Sequence, residues 1–231
     1  MKIWKIRLVA DSDFHTYGDS KGSTLDYLKD ANKIPYIPGT HVKGVMRTEA
    51  ERILRSIQGI NCWITGDLDI EKDKVSDQNP RRVKTCEALK NGGYGCDICR
   101  IFGVPSGKGG KEYREGKIRV TDFRADKKPT TVSRMHVSID RDMLSSKSGA
   151  LHRVQLVPSG SRFTGYIITK KLNETEEKLL KASLYSMVDY GLGGGRSRGL
   201  GSFQLEPIEE ISYEDFVNSY NTSIKGCGAC D

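Results

Sequence analysis

Gly191-Leu-Gly-Gly-Gly-Arg-Ser-Arg-Gly-Leu-Gly-Ser-Phe203 is the stretch on which the fold turns. Six of the eleven residues 191–201 are glycine, so the backbone there can take positive φ and come close to a partner. Arg196, Ser197, Arg198 and Ser202 lie in the same run. Such side chains beside exposed backbone N–H groups hold anions. The nucleoside-triphosphate pattern GxxxxGK[ST] is absent, and a helical pattern precedes the run where a dinucleotide fingerprint needs a strand. A long phosphate polymer fits better, with a flexible linker or a tight helix-to-strand turn as the competing reading.

The flanks make this loop a helix-to-strand joint. Asn173 with Glu176 three positions on predicts a helix start, Leu180, Leu184 and Val188 its buried stripe, and Gly191 its stop. Residues 200–206 and 162–169 read as strands. Residues 2–10 form another, with Trp4, Ile6 and Leu8 on one face and Lys5 and Arg7 on the other. Two strand–helix–strand passes predict an α+β, ferredoxin-like sheet. Residues 11–23 fit neither period and read as a long loop.

A second glycine-bearing segment, Ile34-Pro-Tyr-Ile-Pro-Gly-Thr-His-Val-Lys-Gly-Val-Met-Arg47, follows. Pro38-Gly39 reads as a turn and Thr40 as the cap of a helix with Val42, Met46, Ile53, Leu54 and Ile57 at helical spacing. Lys43 and Arg47 lie one turn apart near its start, where the helix dipole already favours an anion. Gly39, Thr40, His41, Lys43 and Arg47 are therefore candidate phosphate contacts, with Gly194, Gly195, Arg196, Ser197 and Arg198 from the first loop.

Composition agrees with an acidic partner. Lys and Arg number 37 against 30 Asp and Glu, a net charge of +7, which places nucleic acid first. Between residues 100 and 134, ten basic residues face four acids, and Lys117 and Arg119 on a strand over residues 117–123 form a second candidate contact. The amino-terminal residues alternate charged and apolar groups, and no run of 18 apolar residues occurs. The expectation is an intracellular, cytoplasmic protein without a membrane partner.

In that setting the cysteines read as thiols or metal ligands. Cys96-Asp-Ile-Cys99 is a C-x2-C knuckle, and with Cys62 and Cys86 it makes a set able to hold a structural zinc ion, closed to chemistry; buried free cysteines are the competing reading. The charged residues 67–84 read as a mobile linker. Cys227 and Cys230, in a second C-x2-C, read as an untethered end.

The segment 34–47 resembles the "PYIPGSSLKGxxR" stretch of the RAMP (repeat-associated mysterious protein) superfamily. The run 191–203 resembles that superfamily's carboxy-terminal GxGxxxxxGxG signature. Within it, the chain looks most like the repeated backbone subunit of type III CRISPR effector complexes. The resemblance implies an RNA-recognition-like domain over residues 1–208, with a zinc-binding insertion at 59–103, a thumb hairpin at 130–158, and a tail at 209–231. It implies as partners a guide RNA, complementary target RNA, further copies of the chain and other subunits. It implies cleavage of target RNA at intervals of about six nucleotides, supported by Mg²⁺ or Mn²⁺. The family pattern puts the catalytic aspartate on Asp26, in a loop, with Asp30 structural. In the hairpin, the flexible thioether of Met135 suits a wedge between bases, and Arg134 is assigned to the guide backbone.

Chemically, one carboxylate can act as a base or hold a divalent ion, but it does not make a two-metal site. Asp11, Asp13 and Asp19 compete with Asp26, and His15 reads as a surface residue. A non-catalytic scaffold is the second function. A repeat-RNA processing enzyme is the third, with Tyr190 as its one nearby candidate.

Overall fold

The computed structural model describes residues 1–58, 62, 86, 95–104, 114–147 and 149–225. The charged run 67–84 and the Cys227/Cys230 tail lie outside them. The fold is mixed α and β. Strands β1 (Lys2–Ala10), β4 (Tyr36–Ile37), β5 (Ile118–Val120), β6 (Phe123–Ala125), β9 (Arg162–Thr169), β10 (Phe203–Leu205) and β11 (Glu209–Ile211) make one sheet. Its order is β10-β1-β9-β6-β4, with β11 also on β1 and β5 also on β9. Strands β2 (Tyr17–Lys21), β3 (Thr24–Tyr27), β7 (Val132–His136) and β8 (His152–Leu156) make a second, in the order β2-β3-β8-β7.

The helices are α1 (Gly39–Gln58), α2 (Asp97–Phe102), α3 (Glu174–Tyr190) and α4 (Tyr213–Lys225). No helix among the described residues is long and apolar enough to cross a membrane.

The chain divides into two compact units. One comprises Met1–Lys2, Lys43–Arg119 and Ile168–Ser186; the other comprises Ile3–Val42, Val120–Ile167 and Met187–Asp231. In the first, buried Glu176 is the polar centre. It exchanges hydrogen bonds with Asn173, its carboxylate accepting the Asn173 N–H at 2.9 Å and the Asn173 side chain accepting its N–H at 2.8 Å, which is the reciprocal cap expected of α3. The same carboxylate accepts Lys117 at 2.7 Å and Arg100 at 3.0 Å. Glu49, also buried, pairs with Arg52 at 2.6 Å and accepts Ser186 Oγ at 2.8 Å.

In the second unit, alternation sets the layers. Trp4, Ile6, Leu8 and Ala10 of β1 are buried, as are Phe163 and Ile167 of β9. Phe14, Phe163 and Phe203 close the core edge-to-face, with centroids 5.1–6.1 Å apart. β7 and β8 form an antiparallel pair in which Arg134 faces Val154 and His136 faces His152, with the imidazoles stacked at 5.3 Å.

Several expectations need correction. Residues 11–23 are not all loop, since β2 turns at Gly22 (φ +58°) into β3. Helix α1 begins at Gly39 itself, and Thr40 lies exposed inside the first turn instead of capping it. The cap is Asp122, whose carboxylate accepts the Gly39 N–H at 2.8 Å. A Cβ on Gly39 would stand 2.5 Å from the Val120 carbonyl oxygen, so this glycine serves close packing. Ile57 is 73 % exposed and leaves the apolar stripe, whereas Glu49, Ala50 and Glu51 enter the interior.

Candidate nucleic-acid interface

The glycine run folds back on itself. Gly191 ends α3 at φ +82°, and Leu192 and Gly201 close the base, the Leu192 N–H donating to Gly201 O at 2.8 Å. Between them Arg196–Arg198 make a single 3₁₀ turn bracketed by left-handed Gly195 (φ +75°) and Gly199 (φ +79°).

Most of the loop's N–H groups are spent within the protein. Gly193 donates to His41 Nε2 at 3.2 Å, Gly194 to His15 O at 2.8 Å, Gly201 to Asp13 O at 2.9 Å and Ser202 to Ser12 Oγ at 3.0 Å. The N–H groups of Gly195, Arg196 and Ser197 have no partner among the described residues. Three successive free donors at the head of a turn are the arrangement that a backbone nest for an anion requires. Arg196, Ser197 and Arg198 are exposed around it. The Arg196 guanidinium lies 5.7 Å from the Tyr190 ring centroid and donates to Gly191 O at 3.4 Å.

His41 is thus a brace of the loop, joining the two glycine-bearing segments. Burial, and then the Arg196 charge, hold its pKa below the ordinary value of 6.5. It is neutral near pH 7, as an acceptor nitrogen must be.

Under the loop lies His15, expected at the surface but only 2 % exposed. Its Nδ1 is 2.9 Å from the Gln155 carbonyl oxygen. A carbonyl only accepts, so the proton sits on Nδ1 and Nε2 is an unprotonated nitrogen, buried without a partner among the described residues. Burial lowers the His15 pKa, against the Gln155 hydrogen bond and the nearby Asp26 charge, which raise it.

Asp26 sits on strand β3, not in a loop. Its Oδ1 accepts the Tyr27 N–H at 2.9 Å, and its Oδ2 accepts the Lys29 ammonium. Its rivals Asp11 and Asp13 are placed elsewhere: Asp11 accepts Gln204 at 3.0 Å, and Asp13 accepts Arg134 at 2.7 Å and the Ser159 N–H at 3.2 Å. Of Asp19 only the strand position is described. Asp30 is structural as expected, its carboxylate accepting the N–H groups of Asn32 and Ile34 and the Arg124 guanidinium.

The basic candidates divide. Arg47, expected on phosphate, donates to Glu51 at 3.0 Å and to the Gly103 carbonyl at 2.9 Å, and is only 12 % exposed. Lys117 is likewise held by Glu176. Lys43 is half-buried, its pKa lowered by burial and then by Arg47. Arg134 is half-exposed although paired with Asp13, and Met135 is 53 % exposed on β7. The exposure of His15's neighbour Tyr17, 61 %, had no signal in the sequence, because residues 11–23 follow no period.

In the first unit the four cysteine sulfurs lie within 4.8 Å of one another, so Cys62, Cys86, Cys96 and Cys99 can hold a metal ion. Cys62 and Cys99 are 3.4 Å apart and Cys96 and Cys99 3.6 Å, near the ~3.8 Å that tetrahedral thiolates at ~2.3 Å from an ion would keep. Hydrogen bonds from the Cys62 and Cys99 thiols pull Cys96 down to about 2, while bonding to Cys96 pushes Cys62 far up. A bound cation would favour the thiolate form of every cysteine that ligates it.

The family model of the RAMP superfamily matches residues 7–204. "CRISPR system Cms endoribonuclease Csm3" of Methanocaldococcus jannaschii is 27 % identical over 215 residues, covering 87 % of this chain and 77 % of the relative. "CRISPR system Cms protein Csm4" of the same organism is 28 % identical over 122 residues, 52 % of this chain and 30 % of the relative. Among solved structures, a chain of a type IV-B CRISPR complex superposes with a TM-score of 0.60 at 16 % identity, covering 90 % of each chain. A chain of the type III-B Cmr-beta complex bound to cognate target RNA superposes with a TM-score of 0.57 at 17 % identity, over 91 % of this chain and 61 % of that one.

Proposed function

The chain belongs to the RAMP superfamily, and we propose that it is a backbone subunit which holds the guide RNA of a type III CRISPR effector complex and cleaves complementary target RNA. The observation that carries this reading is the His41–Gly193 hydrogen bond, which fastens the PYIPG-type segment to a loop presenting three N–H donors and two exposed arginines. Such a nest takes phosphate without reading sequence, which suits a guide of any sequence. The similarity to an endoribonuclease and to a complex bound to target RNA supports the same partner.

In this reading β1, α1, β9, α3 and β10 supply the two passes of a ferredoxin-like, RNA-recognition-like domain over residues 1–208. The β7/β8 hairpin within 130–158 is the thumb, with exposed Met135 toward the duplex. The four cysteines hold a structural zinc ion within the insertion 59–103. Further copies of the chain and other subunits complete a cytoplasmic ribonucleoprotein.

Asp26 is the catalytic candidate, 21 % exposed and within electrostatic reach of His15. A divalent ion held there would supply charge to the scissile phosphate, and the carboxylate alone can orient the attacking 2′-hydroxyl or water. One observation favours the scaffold alternative: both Asp26 oxygens already have partners, Tyr27 N–H and Lys29. The deciding experiment incubates the assembled complex and Mg²⁺ with end-labelled, guide-complementary RNA, comparing native Asp26 with Asp26→Ala. Regularly stepped fragments that vanish in the variant while target binding persists are expected. Equal cleavage by both would remove Asp26 from catalysis, and none from either would leave a scaffold.

A further inference from the structure

We propose that Tyr17 is a stacking platform for one nucleobase of the single-stranded RNA whose phosphate occupies the adjacent nest, an inference that rests on the RNA-binding reading above. A lone exposed aromatic ring is ordinary on a protein surface. Tyr17 differs because loop and ring are built around each other. A Cβ on Gly194 would stand 2.7 Å from the Tyr17 ring, so the absence of a side chain there is what lets the backbone lie against it.

A second contact holds the ring from the protein side. The His15 imidazole meets it edge-to-face, with centroids 4.6 Å apart at 85°. His15 in turn is buried, tied to Gln155 through Nδ1, and its carbonyl oxygen accepts the Gly194 N–H. Tyr17 also begins β2, paired opposite Tyr27 at the end of β3. The ring is therefore braced on two sides while 61 % exposed, which lowers the ordering cost of stacking a base on it.

Charge and donors start one residue beyond the contact. Gly194 packs on Tyr17, and Gly195, Arg196 and Ser197 offer N–H groups without a partner among the described residues, with Arg196 and Arg198 exposed beside them. A phosphate cradle next to a rigid aromatic face is the chemistry of a nucleotide: an anion at one end and a flat π-surface at the other. Stacking of this kind tolerates any base, so the site adds grip without choosing sequence.

The test measures binding of the chain to a fluorescein-labelled single-stranded RNA and to an abasic ribose-phosphate polymer of the same length. Tyr17→Ala should weaken RNA binding about tenfold and leave the abasic polymer unchanged, while Tyr17→Phe and Tyr17→Trp bind RNA as the parent does. Arg196→Ala/Arg198→Ala should weaken both polymers. Tyr17→Ala binding RNA as tightly as the parent, with the arginine variant still weakened, would overturn the platform and keep the loop. Equal weakening of both polymers by Tyr17→Ala, or by Tyr17→Phe, would make Tyr17 a prop of the loop and overturn stacking. Native binding to both polymers by the arginine variant would overturn the loop reading and this inference with it.

Discussion

His41 Nε2 accepts the N–H of Gly193 at 3.2 Å across 152 positions of sequence. That bond needs a neutral imidazole, and burial together with Arg196 keeps the pKa below 6.5. The folded chain therefore binds protons at His41 more weakly than the unfolded chain does. The contribution is fully present above pH 6.5 and is lost as pH falls through the lowered folded value. Buried His15 has the same sign. Urea unfolding at about pH 7.5 and about pH 5.5 should show lower stability at the acid value, and His41→Gln, which keeps an acceptor, should reduce the difference. His41→Ala should cost about 1 kcal/mol at neutral pH through the unmade bond.

The loop's glycines are not equivalent. At Gly199 (φ +79°) a Cβ meets nothing within 4 Å, so Gly199→Ala should cost only the left-handed backbone term, about 1 kcal/mol. At Gly201 (φ +76°) a Cβ would stand 1.9 Å from the Leu192 carbonyl oxygen, a backbone atom of the same loop. Gly201→Ala should cost roughly 3 kcal/mol or more, because strain adds to a clash that no rotamer relieves. Thermal unfolding of the two variants side by side checks the difference.

What was legible in the sequence follows from how far each signal reaches. The ends of β9 and the cap and stop of α3 could be read because alternation, the Asn173–Glu176 exchange and Gly191 all act within a few residues. Strands β2 and β3 could not: they are short, carry glycine and charge, and are defined by pairing with each other and with β8. The start of α1 was misplaced because its cap, Asp122, comes from 83 positions away. The partners that Arg47 and Lys117 have within the chain were out of reach for the same reason, since Gly103 and Glu176 lie 56 and 59 positions from them. The cysteine set was readable as a list, and folding brings its sulfurs together.

Cys62, Cys86, Cys96 and Cys99 should carry one tetrahedral zinc ion per chain, measured by elemental analysis of the purified protein. Cys99→Ser should lose the ion and lower the melting temperature, because a closed four-thiolate site would tie together segments distant in sequence. Full stoichiometry after replacement of any two of the four cysteines would place the metal elsewhere.

Glu176 carries the clearest acid dependence. Burial pushes its pKa up, but Lys117, the Asn173 N–H and Arg100 outweigh that and hold it below 4.5. Its contribution is therefore present above that value and lost as pH falls through the lower folded one. Glu176→Gln keeps the shape but leaves Lys117 and Arg100 without their shared anion. Both cations are about one-third exposed and can turn to water, so the loss should be about 2 kcal/mol, less than for a fully buried pair. Denaturant midpoints of the variant should also vary less with acidification than those of the native chain.

Lys29 decides how Asp26 would meet a divalent ion. Its ammonium holds Asp26 Oδ2, while Oδ1 is kept by the Tyr27 N–H. If Asp26 binds the ion, the ammonium competes with it for one oxygen and repels it. At ~5 Å in a water-like dielectric, a unit charge acting on a divalent ion contributes roughly 1.5 kcal/mol, near tenfold in affinity before salt screening. Lys29→Met keeps the aliphatic length and removes the charge. Cleavage of target RNA by the assembled complex should then reach half its full rate at several-fold lower Mg²⁺, with the plateau unchanged. A lower plateau at every Mg²⁺ concentration would instead give Lys29 a direct part in stabilising the transition state, and would show that the Asp26–Lys29 pair works as a unit.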